Sequence, residues 1–243
     1  MNDAHDAFGH ALSDYLHGEG RGYEVVERDD SYVDISGGRE QFLAEYRDWP
    51  ARHRQAVRLA RGRVLDIGCG AGRHALYLQS RGLDVLGVDV SPLAVAVCRR
   101  RGLRHVRILS IGSVGPTLGT FGTVLMLGNN FGLFGNRERA RRPLARLHAI
   151  TDPDARILAE SLDPHETDNP AHRAYHRANR RRGRLPGQVR IRVRYRRYAT
   201  PWFDYLFVSR QEMRAILRGT GWTATRFLPE RGPLYVAMLT KTR

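Results

Sequence analysis

Two acids and three glycines mark the stretch of this chain best suited to chemistry. Asp66 sits in the apolar run Val64-Leu65-Asp66-Ile67, and Gly68, Gly70 and Gly72 follow at every second position, interleaved with Cys69 and Ala71. The pattern predicts a buried parallel strand, a tight loop and a helix opening near Arg73. Glycine at 68 and 70 permits dihedrals closed to other residues and lets a ligand approach bare backbone. A second apolar run, Leu83 to Val88, ends in Asp89. An acid about 20 residues past a glycine loop suits the two hydroxyls of a ribose. The two runs and their linking helix form a βαβ unit able to hold a nucleoside.

The spacing narrows the choice of nucleoside. A dinucleotide site wants G-x-G-x-x-G, whereas here the pattern is G-x-G-x-G followed by Arg73. The Gly-Lys-Ser/Thr ending of a phosphate-binding loop is missing too. Asp66 would repel a pyrophosphate and attract a cation. S-adenosylmethionine carries a sulfonium and an ammonium. Asp66 to Gly72 resembles the first motif of the class I S-adenosylmethionine-dependent methyltransferases, which reads much like VLDIGCGAG, and Asp89 matches that family's ribose-binding acid. A glycine-rich turn without a ligand is the plainer reading. Motif, spacing and downstream acid together argue against it.

The resemblance implies an α/β, Rossmann-like class I methyltransferase fold: a seven-stranded, mainly parallel sheet with helices on both faces. It implies S-adenosyl-L-methionine as cofactor, held by Asp66, Gly68, Cys69, Gly70, Gly72, Arg73, Asp89 and Val90. The end of the third strand, Ser110 and Ile111, would bracket the adenine, although many relatives carry an acid there. Leu127 and Gly128, ending the fourth strand, complete the set.

The residues themselves give the elements. Alternating strands and helices argue for a parallel sheet, with strands at 63–67, 83–88, 105–109, 121–127 and 155–161 and helices at 72–81, 92–101 and 136–150. Ser91-Pro92 is a helix start, and Pro143 predicts a kink or restart. Residues 1–61 are expected to form a helical lid, with a helical stretch from Arg39 to Ala60 interrupted at Pro50. Residues 62–243 form the methyltransferase core, carrying a cap insertion at about 163–200 after the fifth strand. Inside that insertion Val189, Ile191, Val193 and Tyr195 alternate with Arg190, Arg192, Arg194 and Arg196. One apolar face therefore packs and the other shows arginines. Trp202 to Val208 predicts another strand. Ser209 to Glu212 resembles a capping box, and Leu234 to Thr240 reads as the last strand.

Composition sets bounds. The 243 residues carry a formal charge of +15, and Lys241 is the single lysine among 40 basic residues. Such a balance attracts polyanions, so nucleic acid stays among the possible partners. No apolar run approaches the ~20 residues of a membrane span, and the first residues offer no signal-peptide core. Cys69 and Cys98 are placed for packing, not for a disulfide, and a reducing cytoplasm is the expected compartment.

Methyl transfer from a sulfonium needs alignment and a dry pocket more than acid–base groups. Asn129 and Asn130, in the loop after the fourth strand, are the expected catalytic positioning residues. His165, His172 and His176 are alternative bases. The i, i+4 spacing of His172 and His176 resembles a metal site, but no accompanying ligands follow, and no metal is expected. The whole pattern resembles stand-alone bacterial methyltransferases of small molecules. Transfer to oxygen or nitrogen of a small metabolite, acidic enough to suit the arginine face, is the first reading. RNA methylation is the second, and a non-catalytic nucleoside-binding module the third.

Overall fold

The computed structural model describes residues 1–19, 23–36, 38–229 and 231–242. Its helices are α1 (Ala7–His17), α2 (Arg39–Phe42), α3 (Ala51–Val57), α4 (Arg73–Ser80), α5 (Pro92–Arg100), α6 (Arg137–Ala149), α7 (Pro170–Arg181) and α8 (Arg210–Leu217). Its strands are β1 (Glu24–Arg28), β2 (Val33–Ser36), β3 (Val64–Ile67), β4 (Val85–Asp89), β5 (His105–Ile108), β6 (Phe121–Met126), β7 (Thr151–Leu162), β8 (Gln188–Tyr195), β9 (Tyr198–Ala199), β10 (Phe203–Leu206), β11 (Trp222–Leu228) and β12 (Leu234–Lys241).

Seven strands form the main sheet in the order β11-β12-β7-β6-β3-β4-β5. The five from β5 to β7 are parallel, and β12 and β11 are antiparallel. Helices cover both faces of parallel strands, so β3, β4 and β6 are buried along their whole length. On one face β6 and β7 pack with α6 and α8. On the other β3 and β4 pack with α3, α4 and α5. From β3 the chain winds outward to β5, then returns to β6. Ligands of open α/β sheets bind where the strand order reverses in this way. A large cleft opens there.

Most of the expected helix signals appear in the structure. Ser91 caps α5 with Pro92 in its first turn, and Ser209 and Glu212 make a complete capping box on α8. At Pro143 there is no restart: α6 runs on across it. A proline removes one N–H but its fixed φ is helical, and buried Ala140, Leu144 and Leu147 anchor the helix on either side.

The N-terminal segment is a larger correction. It contains α1 and the short α2 and α3, with Pro50 capping α3, but it is not a purely helical lid. β1 and β2 form a hairpin, and β1 also pairs with β8. The result is a second, antiparallel sheet in the order β10-β8-β1-β2, with β9 on β8. The signal is weak in sequence because β1 and β2 are short and charged. The strand that completes them lies far along the chain: Glu27 and Arg192, partners across the ladder, are 165 residues apart.

Candidate active site

The glycine loop is built as the spacing predicts. Gly68, Gly70 and Gly72 have φ of 68°, 54° and 76°. This is the left-handed region, where a side chain is strained. Gly68 and Gly72 also have a steric reason. A Cβ on Gly68 would lie 2.6 Å from Asn130 Nδ2, and one on Gly72 would lie 2.9 Å from Cys98 Sγ. Gly68, Cys69, Gly70 and Arg73 line the cleft, whereas Gly72 does not. Its clearance serves the packing of the loop on α5. Cys69 Sγ also points to that packing side, 3.9 Å from Cys98 Sγ. The bond with Cys98 and then burial hold the Cys69 thiol well above its usual range, so it stays protonated.

Asp89 ends β4 at the rim of the loop. Its Oδ2 accepts from Gly70 N at 2.9 Å and its Oδ1 from Ser91 N at 3.0 Å. Both bonds fix the carboxylate, and burial raises its pKa. Each oxygen retains a lone pair for a ribose hydroxyl. Asp66 lies beneath the loop, buried, and its Oδ2 has no partner. Burial and then the charge of Asp89 push its carboxyl up to about 7. An orphaned carboxylate oxygen near a second carboxylate favours a cation above it. The sulfonium and ammonium of S-adenosylmethionine fit this electrostatic setting. Val90, Ser110, Ile111, Leu127 and Gly128 also line the cleft, Val90 exposing 45% of its surface. Exposed apolar side chains beside Asp89 would suit the flat face of an adenine.

Glu160, near the end of β7, is not singled out by sequence. It is 1% exposed and sits at the centre of a network. Its Oε1 accepts from Arg52 Nε at 2.6 Å and from His53 Nε2 at 2.9 Å. Its Oε2 accepts the backbone N–H groups of Gly128 and Asn129 at 2.5 and 3.1 Å. The other ring nitrogen of His53, Nδ1, faces away from the carboxylate. That nitrogen faces Arg73 Nη2 at 3.3 Å and His74 Nε2 at 3.2 Å. Burial alone would raise Glu160, but His53 and Arg52 outweigh it and hold the carboxyl at about 2. Burial and the Arg73 charge push His74 the other way, well below the usual histidine range. The only sequence signal for Glu160 is an acid near the carboxyl end of a central strand.

The two asparagines have different tasks. Asn129 is left-handed, with φ of 62°, its N–H on Glu160 and its carbonyl accepting from Tyr205 Oη at 2.6 Å. Its side-chain Oδ1 is buried without a partner. Asn130 Nδ2 donates to the carbonyls of Ile67 and Gly68 at 2.8 and 2.9 Å. Asn130 therefore braces the glycine loop, and only its Oδ1 is left for anything else.

The cleft has a volume of about 1130 Å³ and is roofed by the second sheet. Val26, Val189, Ile191, Val193, Phe203 and Tyr205 face it from above. The period-two reading of β8 holds, but its apolar face is the one toward the cleft. Arg192 and Arg194 pair with Glu27, and Arg190 lies 3.9 Å from Asp204. The arginine face of β8 therefore offers nothing to an acidic acceptor in the cleft, contrary to the expectation. Arg28 does line the cleft, but it is clamped bidentately on Asp30 and stacked against Tyr32 and Tyr175. His172 and His176 line the cleft, while His165 bonds Glu212 at 3.1 Å outside it. Among the described residues no group of three or more His, Cys, Asp or Glu side chains is placed to hold a metal, and no helix is long and apolar enough to cross a membrane.

Comparison with known proteins agrees with this geometry. A family model described as a methyltransferase domain matches residues 64–154. The crystal structure of an S-adenosylmethionine-dependent methyltransferase from Bacteroides fragilis, in complex with S-adenosyl-L-homocysteine, is similar over 100% of this chain and 98% of that one, with a TM-score of 0.84 and 26% identity. The 2-heptyl-1-hydroxyquinolin-4(1H)-one methyltransferase of Mycobacteroides abscessus is 37% identical over 70 residues, 26% of this chain and 31% of that enzyme. The tRNA U34 carboxymethyltransferase of a Geobacter species is 33% identical over 111 residues, 43% of this chain and 33% of that enzyme. The matches thus span about a third of the length of these curated relatives. The sheet order and the glycine loop, with an acid at the end of β4, are those of the class I methyltransferase fold. Residues 64–154 match the methyltransferase domain, and the whole chain is similar in fold to a methyltransferase solved with S-adenosyl-L-homocysteine, so the site geometry and the comparisons both fit S-adenosylmethionine as cofactor.

Proposed function

We propose that this chain transfers a methyl group to an oxygen or nitrogen of a small, largely apolar acceptor held between the two sheets. The observation that carries the reading is the roof. An apolar sheet face closes over the loop after β6, beside the glycine loop. It leaves room for a molecule of drug-like size. S-adenosylmethionine, when bound, supplies a methyl already activated on its sulfonium. Asp89 would hold the ribose hydroxyls, and the negative floor at Asp66 would favour the cofactor's cationic end. Glu160 and Tyr205 fix Asn129, whose free amide oxygen would orient the acceptor. The second sheet excludes water, so correct placement carries most of the rate.

RNA methylation is the competing reading, motivated by the net charge. The apolar roof speaks against it, since single-stranded RNA is gripped by basic grooves with stacking aromatics. One experiment separates the two. The protein is incubated with methyl-labelled S-adenosylmethionine and fractions of bacterial extract. Label entering low-mass material, and lost with Asp89→Ala, is the expected result. Label entering RNA instead would overturn the reading.

A further inference from the structure

A second cavity, of about 280 Å³, adjoins the cleft on the outer side of α7. It is lined by Arg173, Arg177 and Arg180 with His165 and His176, and it shares Pro164, Thr167 and His176 with the cleft as a common wall. The arginines are spaced four and three residues apart, so they fall on one stripe of the helix. Among the described residues neither Arg177 nor Arg180 has an ion-pair partner. Arg173 pairs with Asp168 at 2.6 Å, but that acid is fully exposed, and such a pair is weak. The acids nearby are engaged elsewhere: Glu212 bonds His165, and Glu166 lies 4.0 Å from Arg210. The arginines of β8, by contrast, are matched by Glu27 and Asp204.

We propose that this cavity is an anion subsite, taking a phosphate or carboxylate carried by the methyl acceptor on an arm that crosses the Thr167–His176 wall. Arginine suits the task because its planar fork matches both oxyanions with paired hydrogen bonds. The hollow has about a quarter of the cleft's volume, and its arginines select a charged group while the apolar cleft holds the body of the acceptor. His176 reports the local field: burial, and then the charges of His172, His165 and Arg180, lower it to about 4. A continuous basic groove for RNA is not what these residues form. They line an open hollow on the surface beside the cleft, with Arg173, Arg177 and Arg180 exposed to solvent. The inference rests on the cleft being the acceptor site, and the test keeps the two apart.

Sodium pyrophosphate, at fixed ionic strength, is titrated calorimetrically into the full chain, into Arg177→Gln/Arg180→Gln, and into Arg141→Gln/Arg142→Gln. The last pair removes equal charge from exposed positions on α6. The α7 pair is expected to weaken pyrophosphate binding about tenfold or more, and the α6 pair less than about twofold. In the unmodified chain the His176 ring resonance should titrate at higher pH once pyrophosphate is bound, by the same attraction. Melting temperatures confirm that each variant is folded. Equal loss in both variants would mean diffuse attraction to net charge, and the subsite would fall. If label enters low-mass material that anion-exchange resin does not retain, the subsite falls while the methyl-transfer reading stands. If no acceptor is found yet binding is lost in the α7 pair alone, the subsite stands and methyl transfer fails. Label in RNA that disappears with the α7 pair would overturn the subsite as stated.

Discussion

Glu160 holds Asn129 in place from below: its Oε2 accepts the Asn129 backbone N–H at 3.1 Å, and Asn129 keeps a left-handed φ of 62°. The same carboxylate binds His53, so the loop after β6 and α3 meet at one buried charge. Glu160→Gln would set an N–H group against one of these donors. Removing one partner of a buried ion pair costs about 3 kcal/mol or more. Glu160 titrates at about 2, against an ordinary 4.5. A lowered pKa means the contribution is complete above 4.5 and is lost as pH falls toward 2. The difference in unfolding free energy between parent and E160Q should therefore shrink across that window in denaturant titrations. A constant difference would show that the charge is not what stabilises the loop.

Asp89→Ala should weaken S-adenosylmethionine binding by roughly 2–4 kcal/mol, from the loss of two charged hydrogen bonds with incomplete additivity. Calorimetry reads this directly. Unchanged affinity would remove Asp89 from the ribose site.

Asp66 links cofactor binding to protons. Burial and Asp89 raise it to about 7. A raised carboxyl pKa means that stability is complete below the ordinary 3.8 and declines as pH rises through about 7, because ionisation is costly. A bound cation relieves that cost and lowers the pKa again. Cofactor binding near pH 7 should therefore release a fraction of a proton and tighten as pH rises. Titrations in two buffers of different ionisation enthalpy measure the release, and Asp66→Asn should abolish it. Proton release unaffected by that substitution would place the linkage elsewhere.

The two asparagines should separate by readout. Asn129→Gly retains a backbone suited to the left-handed region and loses only the amide. It should lower kcat about tenfold with cofactor affinity nearly unchanged. Asn130→Ala removes both bonds to the glycine loop and should instead weaken S-adenosylmethionine binding, by about 1–3 kcal/mol. If both variants bind and turn over like the parent, catalysis does not pass through this loop. His172→Gln would then test for a base in the insertion.

The cofactor half is legible in the sequence because its signals are local. Continuous apolar runs mark β3 and β4, and the glycines sit where φ is positive. The roof is not, because β1 and β2 are defined by β8, far along the chain. Period-two patterning shows that β8 has an apolar face and an arginine face. It cannot say which one meets the ligand, since that depends on the sheet above the cleft. Glu160 is invisible for a related reason. In sequence it is one acid after Ile157-Leu158-Ala159, and only α3 at His53 and the loop at Gly128 give it work.

The roof also has a history during synthesis. The β1–β2 hairpin emerges early, yet its neighbour β8 follows 165 residues later at the Glu27–Arg192 pairing. Closing a chain segment of that length costs only about 0.6 kcal/mol per doubling over a short loop, but it must wait for the ribosome. The cofactor half can assemble first, with its cleft open to solvent. The cleft is then roofed by the last third of the chain, so a truncated product would leave β1 with an unpaired strand edge, a surface that chaperones and proteases recognise.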